Sequence, residues 1–164
     1  MKITNMDVMA LERDMGCGGS RPIVCKVYTD EGIYGIGEAA VAIGSGARGA
    51  FEVLKDLAPM IIGMDPLAHE VIWEKLFKAS FWAQGNGAIM MSAISAIDTA
   101  LHLEAAIPNF IIHEHHIANT TAGTIAECVY DYQPEKGYFS VPELPGIGQD
   151  ISDYAIRHAE IVKF

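Results

Sequence analysis

The stretch that decides the fold is Ile23-Val24-Cys25-Lys26-Val27-Tyr28-Thr29-Asp30-Glu31-Gly32-Ile33-Tyr34-Gly35-Ile36-Gly37-Glu38. Ile23, Cys25 and Val27 alternate with Val24, Lys26 and Tyr28, the period of a half-buried strand. Thr29-Asp30-Glu31-Gly32 then supplies turn residues, and the strand pattern resumes from Ile33 to Val41, so the two runs are predicted to pair as a hairpin. Upstream, Ile3, Met6, Val8 and Ala10 within Lys2 to Glu12 give a first strand of imperfect period two. The glycine-rich loop Asp14 to Pro22 separates it from the hairpin. The first forty residues are predicted to form a three-stranded antiparallel sheet.

Beyond the sheet the period changes to that of helices. Ala50, Val53, Leu54, Leu57 and Ile61 recur at helical spacing and Gly63 closes the run. Asp65-Pro66 has the form of a helix start, Asp as cap and Pro at the first helical position, with Trp73, Leu76 and Phe77 as the apolar face behind it. A third helix is predicted from near Asn86, carrying Ile94, Ile97 and Leu101 inward. Strands followed by helices predict an α+β fold, a sheet backed by a helical bundle. From His102 the pattern becomes irregular, and Val141-Pro142-Glu143-Leu144-Pro145-Gly146-Ile147-Gly148 excludes a central helix or strand. Such a tail is expected to pack on the rest of the chain.

Composition sets the outer limits. The chain has 164 residues, 51% of them hydrophobic, and a formal charge of −10. A single domain of this size buries about two thirds of its unfolded surface and needs no staple. A complete (β/α)₈ barrel takes roughly 250 residues, more than this chain supplies. The acidic balance argues against nucleic acid and anionic membranes as partners. Three scattered cysteines, Cys17, Cys25 and Cys128, make no disulfide framework, and no run approaches a membrane span or a signal peptide. A cytoplasmic location is the expectation.

Several blocks together resemble a known family. Arg21-Pro22-Ile23-Val24, the segment Thr29 to Glu38, Leu57-Ala58-Pro59, Ile62-Gly63-Met64-Asp65-Pro66 and Ser95-Ala96-Ile97-Asp98-Thr99-Ala100-Leu101 resemble the N-terminal capping domain of the mandelate racemase/muconate lactonizing enzyme branch of the enolase superfamily, its acid-sugar (aldonate) dehydratases above all. His102-Leu103-Glu104-Ala105-Ala106-Ile107-Pro108-Asn109 and Phe110 to Glu114 resemble the last barrel helix and strand of that family. Tyr138 to Gly148 is similar to its closing segment, which returns to the cap. The resemblance therefore implies residues 1–101 as the capping domain and 102–164 as a barrel remnant with a returning C-terminal segment. On this resemblance the central barrel is missing, with the seam near Leu101-His102, by engineered excision, natural deletion or extraction of the domain.

The resemblance also implies a function for the parent enzyme. It would be a Mg2+-dependent lyase, rather than a racemase or epimerase, that abstracts the proton alpha to a carboxylate and eliminates water. It would also be a homo-oligomer. The family's catalytic lysine, its three acidic metal ligands and its histidine have no counterpart here, so the chain alone is expected to bind no cofactor and to be inactive. Its partners would be the acid-sugar substrate and the missing barrel. The alternative is a stand-alone α+β module that binds a small ligand or a protein.

Within this frame the candidate site residues are few. Glu114 falls where the family carries an acid at the end of the last strand, able to stabilise charge as the enolate forms, against the plainer reading of a solvated carboxylate. The loops Met15 to Arg21 and Val41 to Ala47 would hang over the barrel mouth and select the substrate, which names Cys17, Arg21 and Ser45, with Trp82 and Gln84 lining the lid. The plainer reading makes these loops surface connections and Trp82 a core residue. His113-Glu114-His115-His116 lacks the HExxH spacing of a zinc hydrolase, so no metal ligand is assigned. Gly35-Ile36-Gly37-Glu38-Ala39-Ala40 satisfies G-x-G-x-x-A, but inside a hairpin arm its glycines serve close backbone packing rather than a dinucleotide.

Overall fold

Side chains alternate across a strand, so the sequence pattern becomes two faces of one sheet. In a computed structural model, which describes residues 1–11, 21–41, 45–85, 87–101, 128–130 and 150–164, β1 (Ile3–Ala10), β2 (Ile23–Thr29) and β3 (Tyr34–Ala39) pair antiparallel. Gly32 takes φ +77° in the turn between β2 and β3, a conformation open to glycine. Helices α1 (Ala47–Ile61), α2 (His69–Ala79) and α3 (Ala88–Leu101) follow, with a 3-10 turn at Phe81–Gly85 between the last two. The chain ends in a short helix, α4 (Asp153–Arg157), and a strand, β4 (Glu160–Lys163).

The sheet therefore has four strands, in the order β3-β2-β1-β4, rather than the three predicted. β4 adds antiparallel to β1, with Val162 opposite Val8 and Ile161 opposite Met9. Nothing local to Glu160-Ile161-Val162-Lys163 announces a strand. Its partner lies at the other end of the chain.

One sheet face is covered by helices. Met6, Val8, Ile23, Cys25 and Val27 are buried there against Phe51, Leu54, Leu57, Ile61, Ile94 and Ile97. α1 and α3 present the faces that periodicity assigned to them, although Leu101 is only partly buried. Burial pushes the Cys25 thiol up to about 12, so it behaves as a small core hydrophobe rather than a nucleophile.

The glycines of β3 explain how closely the layers approach. A Cβ on Gly35 would lie 1.8 Å from the Ala100 carbonyl oxygen, and one on Gly37 would lie 1.9 Å from that of Ala96. Strand and helix backbones touch at these two positions, so only glycine fits. The G-x-G-x-x-A pattern marks packing here, as its hairpin setting indicates.

The start of α2 differs from expectation. Asp65 accepts a hydrogen bond from the Leu67 N–H at 3.1 Å and its carbonyl takes that of Ala68, so Asp65-Pro66 closes a turn of its own and the helix begins at His69. Of the predicted apolar face Leu76 is buried and Phe77 packs on the core, while Trp73 is partly exposed and stacks on Phe77. At the end of α1, Gly63 takes φ +82° and its N–H donates to the Ile3 carbonyl at 2.8 Å. That bond ties the helical layer to the first residue of the sheet.

Candidate functional site

Antiparallel pairing decides which loops can act together. Ile23 opens β2 and lies opposite Ala39, which closes β3. Leu11, just past β1, donates its N–H to the Pro22 carbonyl at 2.9 Å. Leu11, Pro22 and Ala39 therefore lie at one end of the sheet. Residues 12–20 and 42–44, Cys17 among them, lie outside the described residues, as do Glu114 and the whole His113 to His116 cluster.

Arg21 stands exposed two residues ahead of β2. Ser45 is exposed just before α1. A Cβ on the neighbouring Gly46 would touch Val41 at 3.4 Å and Ile89 at 3.9 Å, which places the entry to α1 against the first turn of α3. Ser45, two residues ahead of α1, therefore lies near the start of α3, and the 3-10 turn at Phe81–Gly85 precedes that start in sequence.

Within the 3-10 turn, Ala83 is fully buried and its N–H donates to the Ser80 carbonyl at 2.8 Å. With Ala83 inward, the two aromatic neighbours are turned outward: Phe81 is 75% exposed and Trp82 77% exposed. Their rings meet edge to face with centroids 5.1 Å apart. Gln84 Nε2 donates to the Lys78 carbonyl at 3.3 Å, which holds the amide beside the aromatic pair. Trp82 is thus a surface platform, and its reading as a core residue is overturned by its exposure. An exposed aromatic pair near an amide is suited to a polyhydroxylated ligand: stacking for C–H faces, hydrogen bonds for hydroxyls.

Among the described residues no three His, Cys, Asp or Glu side chains are grouped to hold a metal ion. No helix among them is long and apolar enough to cross a membrane. One polar cluster was not foreseen from the sequence: Asp150 meets Lys26 and Tyr34 on the sheet face away from the helices. Lys26 was legible as an outward residue of β2. Its partner, far along the chain, carried no local signal.

Comparison with known proteins places the fold in a family. Residues 14–110 match the N-terminal domain of mandelate racemase / muconate lactonizing enzyme. A D-mannonate dehydratase of Novosphingobium aromaticivorans is 36% identical over 101 residues, covering 62% of this chain and 23% of that protein. The crystal structure of an enolase-superfamily member from Salmonella Typhimurium superposes with a TM-score of 0.57 at 48% identity, covering 61% of this chain and 25% of the other. An L-talarate dehydratase from Polaromonas sp. JS666, crystallised with Mg and L-glucarate, matches with a TM-score of 0.54 at 25% identity over 61% of this chain and 27% of its own. The chain thus spans about a quarter of the length of the relatives it matches.

Proposed function

Because this chain belongs to the mandelate racemase/muconate lactonizing enzyme family of the enolase superfamily, we propose that it is the substrate-selecting cap of an acid-sugar dehydratase. The observation that carries this reading is the outward-facing Trp82, on a 3-10 turn anchored by the buried Ala83, with the Gln84 amide bonded to the Lys78 carbonyl. Exposing a large aromatic ring to water is costly unless something covers it, and the face of a sugar acid is of the right chemistry. In the proposed reaction a proton leaves the carbon alpha to the carboxylate and the β-hydroxyl departs as water. In this reading Mg2+ would stabilise the enolate, held by ligands that the family resemblance assigns to the barrel.

This chain's own share is exclusion of water and choice of substrate. Arg21 pairs with the carboxylate, Trp82 stacks on the carbon chain, and Ser45, Gln84 and Cys17 meet hydroxyl groups. Glu114 is assigned the role of a carboxylic acid that donates a hydrogen bond as charge develops on the substrate carboxylate. The division of 1–101 as cap and 102–164 as barrel remnant with returning segment belongs to the same proposal.

The test is complementation. The full chain is assayed for dehydration of D-mannonate and D-galactonate with Mg2+, alone and mixed with a dehydratase relative whose own cap has been deleted. No turnover alone and restored turnover in the mixture are expected. Turnover by the chain alone would place the chemistry within it, and a mixture that stays inactive and shows no association would remove the cap assignment.

A further inference from the structure

The sheet has a second apolar face, and among the described residues one stretch of chain lies over it. Met9, Leu11, Val24 and Ile36 are buried on the side away from the helices. Among the described residues their cover consists of Ile151, Ala155, Ala159 and Ile161. All four come from the last fifteen residues, 150–164, which run from Asp150 through α4 to β4.

That stretch is fastened at its two ends by different physics. At the far end β4 contributes four residues of edge pairing to β1, and Val162 and Phe164 reach round to the helical core. At the near end Asp150 enters a polar site in the sheet face. Lys26 Nζ donates to Asp150 Oδ1 at 2.7 Å, Tyr34 Oη donates to Oδ2 at 2.6 Å, and the Ile151 N–H donates to Oδ1 at 2.8 Å. Lys26 Nζ also lies 3.8 Å from the Tyr34 ring centroid. The groups facing this carboxylate are thus Lys26 and Tyr28 from β2, Tyr34 from β3, Asp7 from β1 through Tyr28, and Tyr130 beside Tyr34.

The pair is well shielded, with side chains 13% and 26% exposed for Lys26 and Asp150. A second ion pair on the same stretch, Arg48 with Glu160, has both side chains about half exposed, at 53% and 51%. Water and salt screen the second pair, so it contributes little, while the first has the shielding and the hydrogen bonds to hold.

We propose that residues 150–164 form a detachable strap, latched by Asp150 to Lys26 and Tyr34, whose release uncovers the apolar outer face of the sheet while the helical side stays folded. The helical side keeps its own core of Phe51, Leu54, Ile94 and Ile97 with β1 to β3. A short edge strand whose shielded polar contacts gather at one end is the kind of unit that opens below the global unfolding free energy.

Amide hydrogen exchange on the full chain tests this, with wild type, Asp150→Ala, Tyr34→Phe and Arg48→Ala compared residue by residue. In Asp150→Ala the amides of β4 are expected to exchange about ten-fold faster or more, the order of effect of a charge-assisted hydrogen bond. Amides of Leu54, Leu57 and Ile97 should keep their protection. Tyr34→Phe should give a smaller shift in the same residues, Arg48→Ala none, and a dye that binds apolar surface should report the uncovered face in Asp150→Ala. An equal acceleration in β4, α1 and α3 would show that the strap is not separable from the fold, and unchanged β4 exchange would show that Asp150 is not its latch. Tyr34→Phe removes one hydroxyl, so it yields the same decision if Asp150→Ala does not fold.

Discussion

At the scale of residues, the clearest constraint is the absence of a side chain. Gly37 has the Ala96 carbonyl where its Cβ would be, and Gly63 has open space around a φ of +82°. The two positions therefore fail differently on substitution. Gly37→Ala forces backbone apart in the core and is expected to cost about 2 to 3 kcal/mol. Gly63→Ala meets only the left-handed backbone strain, about 1 kcal/mol. Urea unfolding midpoints rank the two, and equal losses would deny the close approach of β3 to α3. The sequence let both glycines be read correctly in kind, one as packing and one as a helix stop, because each signal is local. The role of Asp150 was not legible, because a carboxylate's partner 124 positions away leaves no mark on its neighbours.

Elements inherit their positions from such contacts. The hairpin, the two faces of β2 and the apolar stripes of α1 and α3 followed from periodicity, which is a property of each segment alone. The start of α2 did not: Asp65 satisfies its neighbours in a turn before the helix, and a cap and a turn use the same Asx chemistry. β4 was missed because four residues, two of them charged, become a strand only against β1. The 3-10 turn shows how an element presents a side chain. Ala83 anchors it, so truncation of the outward Trp82 to Ala should change stability by no more than about 0.5 kcal/mol. The same substitution should impair substrate selection in the complemented enzyme. A large loss of thermal stability would instead mean that the indole is part of the core.

At the scale of the whole molecule, charge and connectivity dominate. Burial raises the cost of ionising Asp150, but the hydrogen bonds from Lys26 and Tyr34 outweigh it and hold the carboxyl below its ordinary range. A depressed carboxyl contributes stability above its unfolded pKa of about 3.9, lost as pH falls through the folded value. Tyr34 is raised, chiefly by its hydrogen bond to Asp150 and then by burial. Its contribution is present below the unfolded phenol pKa of about 10 and is lost as pH rises through the folded value. Thermal melts should therefore separate wild type from Asp150→Asn most at neutral pH, with the curves starting to approach only below the unfolded pKa of about 3.9 and meeting once pH has fallen through the lower folded value. Curves that coincide at neutral pH, with no difference to lose on acidification, would show that the ionised carboxylate is not what the protein uses. The pairing of β1 with β4 has a different consequence, for insertion. β4 pairs with β1 although the two lie far apart in sequence, so Leu101 and Asp150, on either side of residues 102–149, are both held by the fold. Closure entropy grows only as the logarithm of loop length, about 0.6 kcal/mol for each doubling. A scaffold of this topology can therefore host an insert several times its own size at the cost of a few weak contacts.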